Sequence, residues 1–298
     1  MPESYTHLRI ARAALVLADA KAAASAAFLM GANGPDPLFA DRVLHQNKTQ
    51  PLAPIGKRIH NEKCGAFLTE LLSQSKTTVQ RDYARGFLTH YAADTIFHPY
   101  VASQSGAGAA FDKPAGHGFC EAALDTYFCA MDTGHGGVSV DEAAPKLSAP
   151  ELAEIVALLR RSIAAVYGET LSVTNLCNAF HSFRAAHWFF YSPAGGKRIL
   201  AAFAENIIFH KQGYLRCHMT PAPMPRKGFA AEWTNPYTAA HKDVGPNGLT
   251  MQAVRQSANF LRVAQCFWAG NASEQSVLKY LGNKSYTTGL PLENDAEL

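Results

Sequence analysis

The chain has 298 residues, 48% of them hydrophobic and 17% charged, a balance that excludes global disorder and supplies enough apolar surface for a sizeable core. Its net charge of +3 comes from scattered Lys and Arg and gives no nucleic-acid-binding surface. The six cysteines are widely spaced without a CxxC pair, so they read as buried small side chains or free thiols.

Taken in chain order, the Ala-rich stretch after Thr6 predicts one long helix to Met30, with His7 on its first turn. Arg12, Asp19 and Lys21 interrupt it, so it lacks the unbroken apolar centre of a signal peptide, and a cytoplasmic protein is expected. No run reaches the roughly 20 apolar residues of a membrane span. Residues 31–39, GANGPDPLF, form a stiff loop that places Asp36 between two prolines. Residues 40–60 read as irregular and end at His60, before a helical pattern through Phe67, Leu68, Leu71 and Leu72. A helix follows from Arg81 to Phe97, closed by Pro99.

That helix carries GFLTHYAADTIFHPY, in which His90, Asp94 and His98 recur every four residues and share one face. Along the axis His90 and Asp94 lie roughly 6 Å apart and His90 and His98 roughly 12 Å, too far to share one ion, so the stripe implies at least two metal positions. Phe87, Leu88, Tyr91, Ile96 and Phe97 crowd around it, and polar groups in such surroundings need partners.

After a loop at 101–113, Pro114 is expected to open a helix in which His117 and Glu121 again stand four apart. Beyond a second loop at 133–147, helical patterns run over 149–166, 176–191, 195–210, 251–269 and 274–280, with no strand alternation. Trp188, Phe189 and Phe190 read as core, and His181, His187, His210, His218 and His241 as satisfied or surface groups. The proline-rich 211–249 reads as an excursion over the surface, and the polar tail from Ser285 as frayed. The expected architecture is all-α, one multi-helix domain over 1–284.

His7, Asp36, His60, His90, Asp94, His98, His117 and Glu121 are too many for one ion, since a catalytic zinc takes three protein ligands and a water. Without paired cysteines, this nitrogen and oxygen set fits two or three catalytic zinc ions better than structural zinc. Clustered zinc suits phosphoester hydrolysis, by a metal-activated water with a carboxylate taking its proton. Amide hydrolysis by paired zinc fits the same donors.

The ordered set THLRIA, GPDPLF, IH, THYAADTIFHPY and HGFCE resembles the zinc-dependent phospholipase C family over roughly the first 125 residues. The resemblance implies an all-helical bundle of phospholipase C type. In it Asp36, His60, His90 and a bridging Asp94 hold one zinc, His98, His117 and Glu121 a second, and His7 with Asp94 a third. It also implies Asp36 as the general base, a phospholipid or small phosphodiester as substrate, and transient contact with a membrane surface. Related single-strand nucleases end the motif in HxxxD, so Glu121 points to the phospholipase branch and away from nucleic acid. Against a non-catalytic reading, in which the ions only staple a binding module, stands the presence of every ligand expected around a bridged pair, Asp36 included.

Two departures modify the expectation. Secreted members complete the third site with an N-terminal Trp, whereas this chain starts Met1-Pro2, so a partly occupied third site is expected unless the Pro2 amine substitutes. Choline-recognising members carry aromatic residues where Pro37 and Lys57 stand here. An aromatic cage attracts a quaternary ammonium and Lys57 repels one, so choline is not the expected head group.

Overall fold

The computed structural model describes residues 4–40 and 52–292. The alanine-rich start forms two helices rather than one, α1 (Ser4–Leu17) and α2 (Ser25–Gly31). The break is a backbone closure: Asp19 turns to φ 50° and the Ala20 N–H reaches back to the Leu15 carbonyl at 2.9 Å. The Asp82 carboxylate then accepts from the Ala24 N–H at 2.7 Å, so tertiary bonding overrides alanine's helix propensity.

The loop after α2 contains a 3₁₀ turn over Asp36–Leu38. The irregular reading of 40–60 is corrected from residue 53 onward, while 41–51 lie outside the described residues. Helix α3 spans Ala53–Asn61 with Pro54 in its first turn, where a missing N–H costs nothing. Helix α4 follows (Cys64–Gln74), then α5 (Thr78–Ser105), whose first turn is capped by Thr77 Oγ1 accepting from Gln80 N–H.

Helix α5 does not stop at Pro99 but runs six residues past it to Ser105. Proline can donate nothing to the Thr95 carbonyl, and Gly289 packs onto that oxygen so closely that a Cβ there would stand 2.4 Å away. The helix is the spine of the molecule. Helix α2 crosses it with backbones nearly touching: a Cβ on Gly31 would lie 2.1 Å from the Tyr83 carbonyl oxygen, and one on Gly86 1.9 Å from that of Phe28.

Pro114 precedes rather than opens α6 (Gly116–Thr133), which starts after Ala115 in a left-handed conformation. The loop at 133–147 includes a one-turn α7 (Val140–Ala143), with Ser139 N–H bonded to Glu142. Then come α8 (Ala149–Tyr167), α9 (Val173–Phe190) and α10 (Gly196–Ala204), the last continuing into a π turn over Glu205–Phe209. Helices α11 (Pro246–Trp268) and α12 (Glu274–Leu281) complete an all-α bundle, and α11 packs along α5.

Three expectations are corrected. Residues 211–249 run largely exposed over the surface, yet they hold a short antiparallel ribbon, β1 (Glu232–Thr234) and β2 (His241–Asp243), where no strand was expected. Trp233 is buried edge-on against Tyr100, and its Nε1 donates to the Val244 carbonyl at 2.9 Å, so it anchors the ribbon. Of the three aromatics at 188–190 Phe190 is buried, but Trp188 is exposed. The tail is packed as far as it is described: Tyr286 is fully buried and its N–H donates to the His60 carbonyl at 2.9 Å, while 293–298 lie outside the described residues.

Candidate metal centre

The eight sequence-picked side chains come together from five elements: α1, the 3₁₀ turn, α3, α5 and α6. Asp94, at mid-α5, is their hub. Its Oδ2 lies 3.0 Å from His90 Nε2 and 3.6 Å from His60 Nε2. Its Oδ1 lies 3.3 Å from His7 Nε2 and 3.7 Å from His98 Nε2. Asp36 stands at the edge, its Oδ1 3.9 Å from His60 Nε2. Glu121 Oε1 lies 2.7 Å from His117 Nε2 and 3.6 Å from His98 Nε2.

Three sets of donors are each mutually close enough for an ion: His60, His90 and Asp94; His98, His117 and Glu121; and His7, Asp36 and His90. Two donors each roughly 2.0–2.1 Å from a tetrahedral zinc stand roughly 3.3–3.4 Å apart, and the observed spacings bracket that value.

Backbone carbonyls fix which nitrogen of each ring faces inward. His60 Nδ1 contacts the Gly56 carbonyl at 2.8 Å, His90 Nδ1 that of Ala32 at 3.2 Å, and His98 Nδ1 that of Tyr286 at 2.9 Å. A carbonyl only accepts, so each Nδ1 carries the proton and each Nε2 turns a lone pair toward Asp94. Among the described residues neither Asp94 oxygen, nor His90 Nε2, has an aligned hydrogen-bond donor, although all three atoms are buried. Lone pairs pointed at a buried carboxylate repel unless a cation lies among them, and the donor set therefore fits metal.

The electrostatics run the same way. Burial would raise the Asp94 carboxyl, but positive charge at the His90 and His98 rings, the place a cation takes when those rings are neutral, holds it well below the usual carboxylate range. Burial likewise opposes ionisation of Glu121, and His117 overrides it. His60 is pushed down by burial and stays neutral, as a ligand must.

The chain builds this site through close approaches. Gly34 adopts φ +52°, and a Cβ on it would fall 2.2 Å from His90 Cδ2, so the loop carrying Asp36 can lie over the His90 ring only because residue 34 has no side chain. The His7 and His90 rings stack with centroids 4.3 Å apart.

Two organising residues escape the sequence reading. Asp125 accepts from Tyr5 N–H at 3.1 Å, from Thr6 N–H at 2.9 Å and from Thr6 Oγ1 at 2.7 Å, tying the first turn of α1, and with it His7, to α6. Its signal was present, since it continues the four-residue spacing of His117 and Glu121. Tyr286 packs its ring 5.0 Å from that of His60 and 5.8 Å from that of His90, while its carbonyl orients His98. Nothing in the polar stretch around it marked it out. The N-terminal amine considered for the third site lies outside the described residues. Lys57 is exposed and Pro37 buried, so neither position offers an aromatic cage.

Comparison with known proteins gives a family for the span that holds the cluster. The profile of the family described as zinc dependent phospholipase C matches residues 6–172, a span that contains all eight side chains. A protein of Archaeoglobus fulgidus described only as uncharacterized is 25% identical over 171 residues, covering 54% of this chain and 54% of that protein. The chain thus spans about half the length of the curated relative it matches. No solved structure matches.

Proposed function

Since the chain belongs to the zinc-dependent phospholipase C family, we propose that it hydrolyses a phosphodiester, a phospholipid head-group bond or a related one, with Asp36 as general base. Asp36, His60, His90 and Asp94 would hold one zinc, His98, His117 and Glu121 a second, and His7 with Asp94 a third, so that two to three ions are bound. Bound zinc supplies a water of lowered pKa and a positive field for the phosphoryl oxygens.

The chain's own residues do the rest. Asp36 keeps its side chain partly accessible at the rim of the cluster, where a carboxylate can take the proton of the attacking water. Pro35, Pro37 and the 3₁₀ turn restrict its backbone. The carbonyls of Gly56, Ala32 and Tyr286 hold the His60, His90 and His98 rings in one tautomer, so no proton has to move before a metal binds. Lys57, one turn before His60 on α3, is a cation where choline-recognising members carry an aromatic residue, which favours an anionic or small head group over choline.

The observation that carries this reading is the buried Asp94 carboxylate facing four imidazole Nε2 atoms without an aligned donor. The test is Asp36→Asn. Turnover of a phosphodiester should fall about 10²–10⁴-fold while zinc content and fold persist. A phosphodiester, single-stranded DNA and choline-lipid panel, run with and without chelator, decides the substrate class. An Asp36→Asn chain as active as the parent rules out the assignment of the base.

A further inference from the structure

Helix α10 and its π turn are amphipathic with the wrong side out. The inward face carries Arg198, Ala201 and Glu205. The outward face carries Ile199, Leu200, Phe203, Ile207 and Ile208, and these five, with neighbouring Trp188, are each 55–75% exposed. Single exposed aliphatics are ordinary, but six large ones on one short segment mark an interaction surface.

The helix is held in this orientation by polar bonds. The fully buried Glu205 carboxylate accepts from the backbone N–H groups of Gly213, Leu215 and Arg216 at 2.8, 2.7 and 2.6 Å, and from Arg216 Nε at 2.7 Å. Arg198 donates to the carbonyls of Met219 and Pro221 at 2.7 and 2.6 Å. Rolling the apolar face inward would break all six bonds and bury the charges instead.

We propose that this face docks reversibly on an anionic lipid surface. Charge selects that occupant. From Trp188 to Ala231 the cations not already bonded inward are Lys197, Lys211, Arg226 and Lys227, against a lone carboxylate, Glu205, which is buried and paired with Arg216. Lys197 and Lys211 flank the apolar stripe, and Lys197 Nζ sits 4.6 Å over the Trp188 ring. Aliphatic residues and a tryptophan on one face with lysines at its edges suit a helix lying in the headgroup layer. A second copy of the chain would bring the same lysines against one another. Among the described residues no helix is long and apolar enough to cross a membrane, so contact is peripheral.

The surface also connects to the metal centre. The loop gripped by Glu205 packs on the first turn of α6: a Cβ on Gly213 would meet Phe119 Cε2 at 2.9 Å, and one on Gly118 would meet Cys217 Sγ at 3.1 Å. His117 lies on that turn. The docking face and the half-exposed His117 are thus linked through one packed loop. This relevance to catalysis rests on the phosphodiesterase reading, whereas docking itself is measured without turnover.

The experiment compares the full chain with the double variant Leu200→Glu, Phe203→Glu. Binding is followed by co-sedimentation, and by the emission of Trp188, with vesicles of phosphatidylglycerol and phosphatidylcholine or of phosphatidylcholine alone. The parent should partition onto the anionic vesicles at least about tenfold more than onto the neutral ones, with a blue shift absent in Trp188→Phe. The double variant should lose about tenfold or more, while keeping its zinc and its rate on a soluble aryl phosphodiester. Equal partitioning of parent and variant overturns the proposal. So does a parent that ignores anionic vesicles but forms a concentration-dependent dimer abolished by the variant. Vesicle binding that survives in a chain inactive on every phosphodiester supports docking and removes only the catalytic reading.

Discussion

Replacing Gly34 by Ala adds one methyl group and strikes the centre where the chain has no slack. Residue 34 sits at φ +52°, where an alanine costs roughly 1 kcal/mol more than glycine. The new Cβ would stand 2.2 Å from His90 Cδ2 and 2.4 Å from its Cγ, so the ring or the loop must give way. Overpacking of that kind costs about 1–3 kcal/mol, for a total near 2–4 kcal/mol. If the ring moves, His90 loses its bond to the Ala32 carbonyl and its aim at Asp94. If the loop moves, Asp36 is displaced. Either way zinc affinity should fall about 10–100-fold, the range seen when groups that orient ligands are lost. Urea unfolding in the presence of chelator isolates the packing cost, and zinc competition against a chromogenic chelator reads the affinity. A Gly34→Ala chain with parental zinc affinity and parental stability would refute the geometry of this contact.

Tyr286 offers a paired test: Tyr286→Ala should cost about 3–5 kcal/mol and weaken zinc binding, because it empties the space beside His60 and His90. Tyr286→Phe should be neutral or stabilising by up to about 1 kcal/mol, since the buried hydroxyl has no hydrogen-bond partner among the described residues, and chemical unfolding of both variants checks the pair. Acid should destabilise the metal-free protein well before its carboxylates titrate, because burial lowers His187 and His218 to about 3. Both rings are neutral in the fold and take up protons below about pH 6.5 when unfolded, so their stability is present above that pH and lost as pH falls through 6 and 5. Between pH 7.5 and 5.5 each accounts for about 1 kcal/mol, and His218→Leu should remove its share of the shift in urea midpoint; an unchanged pH dependence in that variant would count against it.

The candidate metal ligands were legible because their chemistry leaves a periodic mark. A four-residue spacing on one helix face needs no knowledge of the rest of the fold, and it located His90, Asp94, His98, His117 and Glu121. The helices were legible for the same reason wherever apolar spacing was sustained. What was missed depends on partners distant in sequence. Nothing local to the alanine-rich start reveals that Asp82 will bond Ala24 and that the helix will break at Asp19. Pro99 was read as a stop because local rules put it there, yet the Gly289 turn covers the carbonyl it leaves unbonded. The WFF run at 188–190 was read as core from hydrophobicity alone, but the polar clasp around Glu205 turns the neighbouring helix outward. Tyr286 became visible only when the tail was seen folded back over the histidines.

The most direct measurement is the zinc content of the purified chain, followed together with phosphodiester turnover as a chelator is titrated in and zinc is restored. The account predicts two to three zinc ions per chain, activity that disappears as they are withdrawn and returns with zinc, and a lower zinc content in Asp94→Ala. A chain that holds no zinc at neutral pH, or one that cleaves phosphodiesters equally well after its metal is gone, would contradict it.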